Sequence, residues 1–560
     1  MATTEKIWLR HYPPQVPASL EYPRITLTQF LIDAATEFPE RDAIEFLGKR
    51  ISFRELLDEA YRFANVLKSL GVRKGERVSL MLPNSPQAVI AYYGSLIAGA
   101  VVVQFNPLYM ERELEHQLND SESETMVCLD LVYNKVRHVR KQTQLKRVIV
   151  TSLKEHLPFP KNWLYSIKTL LDGSYQKISY DETTLSYSQL MQKALPNEID
   201  ISDQSPEDLA LLQYTGGTTG LAKGAMLTHS NLVANAIQSV AWMYKGKRGQ
   251  EKVLGALPFF HVYGMTVVMN FAISIGATMI LVPRFDRHQI LKIINQKKPT
   301  YFPGAPTMYV SLINEPDIRK YDLSSIVACL SGSAPLPVDV QEKFEELTGG
   351  LLIEGYGMTE TSPVTHANLI WDRVKNATIG LPWPDTDARI VDPSTKEVLE
   401  IGGVGELQVK GPQVMKGYWN RPDETKEMLQ EDGWLSTGDI ATMDEDGYFY
   451  ILDRKKDMII AGGLNIYPRE VEEVLFEHPA IQEAAVVGVP HKYRGETVKA
   501  FIVLKSGKKV TEKELDKYCR KKLAAYKIPR IYEFRTELPK SSIGKVLRRV
   551  LQDESNKVNI

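Results

Sequence analysis

The densest chemistry in the sequence lies between residues 214 and 224, where Tyr214 and Thr215 precede Gly216, Gly217, Thr218, Thr219 and Gly220, and Lys223 and Gly224 follow Leu221 and Ala222. Glycines let backbone amides turn toward an anion at close range, while threonine hydroxyls and a lysine add donors and positive charge. The apolar run Leu209 to Leu212 just before it predicts a strand feeding the loop. That combination suits a polyphosphate. The loop lacks the Gly-Lys-Ser/Thr ending with which a Walker loop holds phosphate and magnesium, which disfavours a P-loop NTPase. An ordinary glycine-rich turn would need four glycines, three threonines and a lysine to fall together by coincidence.

A loop of this kind must be held by regular elements, and the flanking sequence supplies them. Apolar residues recur at helical spacing from Phe53 to Leu70, end at Gly71, and give way to the strand-like Val78 to Leu82. The same alternation returns at 231–241 with 253–257, and at 290–295 with the turn around Pro303 and Gly304. Repeated helix–strand alternation predicts an α/β protein with buried sheets. Two uncharged stretches, 88–105 and 265–282, have the length of a membrane span, but glycines at 99 and 276 interrupt them and β-branched or aliphatic runs follow. A buried helix turning into a central strand is the better reading.

After residue 385 the texture changes to short strands with glycine turns (388–391, 405–410, 448–452), predicting a small β-rich subdomain. Beyond the charged run Asp453 to Asp457 come a helix at 468–477, strands at 484–489 and 498–504, and a helix at 512–523. The expected architecture is a large N-terminal domain over 1–453, with two α/β sheets plus the β-rich subdomain. A small, mobile α+β C-terminal domain over 454–560 completes it, hinged near 453–457. The 560 residues are ample for this division. A formal charge of −1 gives no reason to expect nucleic acid as a partner. Cys128, Cys329 and Cys519 lie too far apart for a CxxC site and suit a reducing compartment. The charged, proline-bearing amino terminus is unlike a secretion signal, so the expected location is cytoplasmic.

The motifs, in their order, resemble the adenylate-forming superfamily of acyl-CoA synthetases, aryl-CoA ligases, luciferases and peptide-synthetase adenylation domains. Residues 215–224 resemble its phosphate-binding signature. Ser331 to Pro335 resemble its adenine-side loop, Glu354 to Glu360 the segment that completes the nucleotide pocket, and Ser436 to Asp439 the ribose-binding turn. Asp453 to Lys456 resemble the interdomain hinge, and Pro539 to Lys545 the catalytic-lysine loop. Singly several are weak; together and in order they are highly specific.

The resemblance implies roles. Attack of a carboxylate on the α-phosphate of ATP brings two anions together, so neutralising and positioning charge is the main task. Lys545 would be the catalytic ammonium, against a competing reading as part of a basic surface with Lys540, Arg548 and Arg549. Thr215, Gly216, Gly217, Thr218, Thr219, Gly220 and Lys223 would hold phosphates. Gly332, Ser333, Ala334, Pro335, Glu354, Gly355, Tyr356 and Thr359 would line the AMP site, Asp439 and Arg454 would bind ribose, and Glu360 would hold Mg²⁺. Lys456 would be the hinge pivot, Gly462 and Gly463 would line a channel for coenzyme A, and His261 would face the acyl pocket, a packed aromatic turn being an equal reading.

The stretches 106–121 and 432–456 resemble bacterial long-chain fatty acid–CoA ligases, implying fatty acid, ATP, Mg²⁺ and coenzyme A as reactants. An aryl-CoA ligase or a fatty acyl-AMP ligase shares nearly every motif, and a non-catalytic nucleotide- or acyl-binding protein is the alternative of another class. Retention of Glu360, Asp439 and Lys545 together argues against the last. Relatives often dimerise, so a homodimer stays open. Peripheral membrane contact through Lys245 to Arg248 or Lys505 to Lys509 also stays open beside the reading of both as solvated loops.

Overall fold

The computed structural model describes residues 6–215, 222–461, 464–491, 494–541 and 544–558. Packing divides the chain into two compact units. One comprises residues 9–387 and 410–435; the other comprises residues 1–8, 388–409 and 436–560. The β-rich segment thus packs in one unit with the C-terminal residues, and residues 453–457 lie inside that unit.

The larger unit is built on an eight-stranded sheet. Its parallel core runs through Val101–Gln104, Arg77–Met81, Thr125–Leu129, Arg147–Thr151 and Thr184–Ser186. Leu209–Thr215 joins parallel to Val101–Gln104, and Lys223–Thr228 returns antiparallel beside it. The helix Phe53–Ser69 packs against the helix Pro86–Ile97 and begins with a capping box, Ser52 accepting from the Glu55 amide and Glu55 accepting from the Ser52 amide. Gly71 follows at φ +80°, a left-handed exit that favours glycine.

A second sheet orders Lys252–Gly255, Thr278–Leu281, Asp42–Phe46 and Lys49–Ser52, and Tyr301 bridges it to a third containing Ala328–Ser331, Leu351–Gly357, Val364–Ala367 and Leu381–Pro382. Both uncharged stretches resolve as expected. Pro86–Ile97 is a wholly buried helix that breaks at Gly99 and becomes a strand. Met265–Asn270 is a π-helical segment continued by Phe271–Ser274 and the strand Thr278–Leu281. Among the described residues no helix is long and apolar enough to cross a membrane.

The smaller unit contains a four-stranded sheet ordered Asp387–Val391, Gly405–Lys410, Leu435–Met443, Phe449–Arg454. It also has a five-stranded sheet built around the long hairpin Ile481–His491 and Gly495–Leu504. Alternate residues of that hairpin face two cores. Val486, Val498, Ala500 and Ile502 pack with Val471, Leu475 and Leu515; Val487, Val489, Phe501 and Val503 pack with Leu538 and Leu551. Period-two alternation between buried faces produces this two-sided packing, and the second face seats the segment that carries Lys545.

Candidate active site

In the larger unit the hairpin of Leu209–Thr215 and Lys223–Thr228 brings Thr215 opposite Lys223. Gly216, Gly217, Thr218, Thr219 and Gly220 lie outside the described residues. The two-residue strand Gly417–Tyr418 pairs with the outer edge of this hairpin, Tyr418 opposite Ala225. Lys223 places its ammonium 5.5 Å from the Tyr418 ring centroid and 3.8 Å from Glu424. The Tyr418 hydroxyl donates to Glu360 Oε1 at 2.5 Å. Burial and the charge of Glu360 push the Tyr418 phenol far up, so it stays a donor. The buried Glu360 is also fixed through its backbone, whose carbonyl accepts from the Met415 amide at 2.8 Å.

Beside the hairpin, Asp120 accepts from the Tyr214 hydroxyl at 2.6 Å and from Arg421 at 2.7 Å, and its carbonyl accepts from the Trp419 indole at 3.1 Å. A Cβ on Gly224 would come within 3.1 Å of the Tyr214 ring, so the close approach of this ring to the backbone suits glycine. Sequence reading missed Asp120, Tyr418, Trp419 and Arg421. Only the adjacency of three of them in sequence offered a signal.

Two further predicted segments leave the carboxyl ends of neighbouring parallel strands, Ala328–Ser331 and Leu351–Gly357, with Ser331 opposite Glu354. Ligand crevices of open α/β sheets form at such ends. Gly332 sits against Tyr263, whose ring a Cβ would meet at 3.0 Å, and Ser333 adopts φ +74°. Ala334 is half-buried, Pro335 exposed, and the buried Glu354 accepts from the Leu336 amide at 3.1 Å, tying this loop to the next strand. Gly355 packs against Leu330. Tyr356 is half-buried with its ring edge-on to His366 at 5.9 Å, and Thr359 opens the turn Thr359–Thr361 that carries Glu360. His261 accepts from the Tyr263 amide through Nδ1 at 3.2 Å, capping the short helix Val262–Gly264.

In the smaller unit Asp439 and Arg454 face each other across paired strands, Nε to Oδ1 at 3.6 Å. Gly438 turns at φ +72°, and the Asp439 amide donates to Thr437 Oγ1 at 3.1 Å. The run after Asp453 is only partly a solvated loop, because Lys455 pairs with the buried Glu406 at 3.2 Å while Lys456 is exposed. Lys545 closes a tight turn in which its amide donates to Ser541 Oγ at 3.2 Å and its carbonyl accepts from the Ser541 amide at 2.8 Å. The neighbouring cations are engaged: Lys540 with Glu483 at 2.7 Å, Arg549 with Asp553 at 3.7 Å, and Arg548 with Glu472, Asp453 and Asp457. Among the described residues Lys545 has no carboxylate within 4 Å. Burial first, and then the charge of Arg454, lower its ammonium to about 7. Gly462 and Gly463 lie outside the described residues.

No group of three or more His, Cys, Asp or Glu residues that could hold a metal occurs among the described residues. A single buried carboxylate such as Glu360 fits Mg²⁺ of the kind that keeps its waters and arrives on a nucleotide's phosphates.

The chain belongs to the AMP-binding enzyme family, whose model matches residues 31–419 and whose C-terminal domain matches residues 470–545. Its curated relatives include long-chain-fatty-acid–CoA ligases. The chain is 53% identical to a long-chain-fatty-acid–CoA ligase of Bacillus subtilis over 98% of both chains, and 42% identical to one of Yersinia pestis over 99% of both. The crystal structure of ATP-bound MatB from Rhodopseudomonas palustris superposes with a TM-score of 0.84 at 30% identity, covering 96% of this chain and all of that one.

Proposed function

We propose that the chain is an ATP-dependent ligase that activates a long-chain fatty acid as acyl-AMP and passes the acyl group to coenzyme A. The observation that carries this reading is the end-to-end match to a long-chain-fatty-acid–CoA ligase at 53% identity.

In the first half-reaction a carboxylate oxygen bonds to the α-phosphorus of ATP and the bond to pyrophosphate breaks. Negative charge accumulates around the α-phosphate, and the Lys545 ammonium neutralises it. Thr215, the 216–220 loop and Lys223 hold the phosphates. Glu360, kept in place by the Tyr418 hydroxyl, holds Mg²⁺, which when bound offsets phosphate charge. Gly332 to Pro335, Glu354, Gly355, Tyr356 and Thr359 receive the adenine, and Asp439 with Arg454 takes the ribose hydroxyls. In the second half-reaction the thiol sulfur bonds to the acyl carbonyl carbon, the thiol proton departs, and AMP leaves. That step needs the lysine withdrawn, a movement about Lys456 that opens a path lined by Gly462 and Gly463. His261, committed to capping a helix through Nδ1, acts on the acyl pocket by fixing the turn at 258–265. The location that fits these reactants is the cytoplasm, and a homodimer is compatible with them.

AMP release with ATP, Mg²⁺ and coenzyme A, screened over saturated acids of increasing length and over aromatic acids, tests the reading. Turnover should rise toward long chains and require coenzyme A. A preference for aromatic acids, or acyl-AMP accumulation unchanged by coenzyme A, would replace it with an aryl-CoA ligase or an acyl-AMP ligase.

A further inference from the structure

The helix Lys161–Leu171 in the larger unit is inverted relative to a normal surface helix. With about 100° between successive residues, Trp163, Leu164, Ile167, Leu170 and Leu171 fall on one arc of roughly 120°. Most of that arc faces outward, Ile167 at its centre being half-buried. Trp163 is 61% exposed and Leu171 83%, Leu164 and Leu170 are also exposed, and Phe159, just before the helix, is 84% exposed. The fully buried side chain of the helix is instead the polar Thr169, and Tyr165 and Ser166 lie beside it on the less exposed side.

Lys168 and Lys161 lie together past one edge of the apolar arc, and no acidic side chain occurs between residues 156 and 171. Lys161 also donates to the Leu47 carbonyl at 2.6 Å, which ties the helix start to the unit. Of the nearest acids, Asp172 is held as a carboxylate by the Ser174 amide and hydroxyl with Lys168 beside it, and Glu155 accepts from the Thr151 hydroxyl. An exposed apolar arc containing tryptophan, with lysines along one edge, is the pattern of a helix that rests in the headgroup region of a bilayer.

We infer that Lys161–Leu171, with Phe159, is a docking surface for an anionic lipid bilayer, lying in the interface with Trp163 and the leucines immersed and Lys161 and Lys168 at the phosphates. The inference rests on the ligase reading only for its use, since a long-chain acid partitions into lipid and an enzyme seated there meets it at high local concentration. The docking surface is distinct from the basic clusters at 245–248 and 505–509, which have no apolar arc of this kind beside them.

Co-sedimentation of the full chain with phosphatidylcholine vesicles, with and without phosphatidylglycerol, and without acid, ATP or coenzyme A, tests this independently of catalysis. The unaltered protein should bind phosphatidylglycerol vesicles, Trp163→Ser/Leu171→Ser should weaken that binding at least about tenfold, and Lys168→Glu should weaken it on anionic vesicles alone. Acid-dependent pyrophosphate exchange with a water-soluble medium-chain acid should be unchanged in both variants, which reports correct folding. If the double variant loses that exchange, Lys168→Glu decides. The inference is overturned if the unaltered protein stays in the supernatant, if the folded variants bind as it does, or if sedimentation velocity shows a dimer that the double variant dissociates, since a second copy would then cover the face.

Discussion

Lys545 is asked to supply positive charge, yet its surroundings loosen its proton to about 7, against the usual lysine value of 10.5. The folded chain binds fewer protons here than the unfolded chain between pH 7 and 10.5, so this group contributes stability above 10.5 and loses it as pH falls through 7. Chemistry runs the other way, because the ammonium is the active form. The kcat/KM for adenylation, which reports the free enzyme, should therefore fall on an alkaline limb with its midpoint at about 7 in wild type. Lys545→Ala should lower pyrophosphate exchange by about 10²–10³ and remove that limb, while transfer from pre-made acyl-AMP to coenzyme A stays within about tenfold. Equal loss of both half-reactions would contradict the assignment. Glu360→Gln should shift the Mg²⁺ concentration for half-maximal exchange upward by about 10- to 100-fold without changing the affinity for the acid. A titration of exchange rate against Mg²⁺ measures it.

The elements that carry these side chains were legible to different degrees. Amphipathic periodicity placed Phe53–Ser69 and His229–Trp242, and alternation placed Gly405–Lys410 and the long hairpin of the smaller unit. The strand Gly417–Tyr418 was not legible, because two residues carry no period and its partner Lys223–Thr228 lies far away in sequence. The Tyr418 grip on Glu360 was hidden with it. The ion pairs around Arg548 were equally invisible, since Asp453, Asp457 and Glu472 come from the end of one strand, the loop after it and a separate helix. Burial raises the Asp453 carboxyl to about 6 even with Arg548 opposing it. Its contribution to stability is thus present below about 4 and is lost as pH rises through 6. Arg548→Met should leave this acid cluster unneutralised and destabilise the smaller unit by about 3 kcal/mol, read as a lower denaturation midpoint that partly recovers at pH 5. Arg548→Lys should recover part of the loss. Unchanged stability would show that the cluster is solvated.

At the level of the full chain, motif order and length foretold the enzyme class and the mixed α/β layers. Packing into units was harder to foresee: the segment 388–409 and the strands after 435 join the C-terminal residues, and compactness follows side-chain contact whereas the proposed hinge describes motion. A proline fixes φ near −65°, so Lys456→Pro should stop the change of conformation between half-reactions. It should spare pyrophosphate exchange and reduce thioester formation by about tenfold or more. Comparable losses in both would mean that Lys456 is not the pivot. Adenylation of a long-chain acid is the first step and can be isolated from everything after it. Purified protein with Mg²⁺, ATP, labelled pyrophosphate and palmitate, and no coenzyme A, should incorporate label into ATP at a rate that saturates with the acid and vanishes without it; no incorporation with any fatty acid would contradict the proposed chemistry.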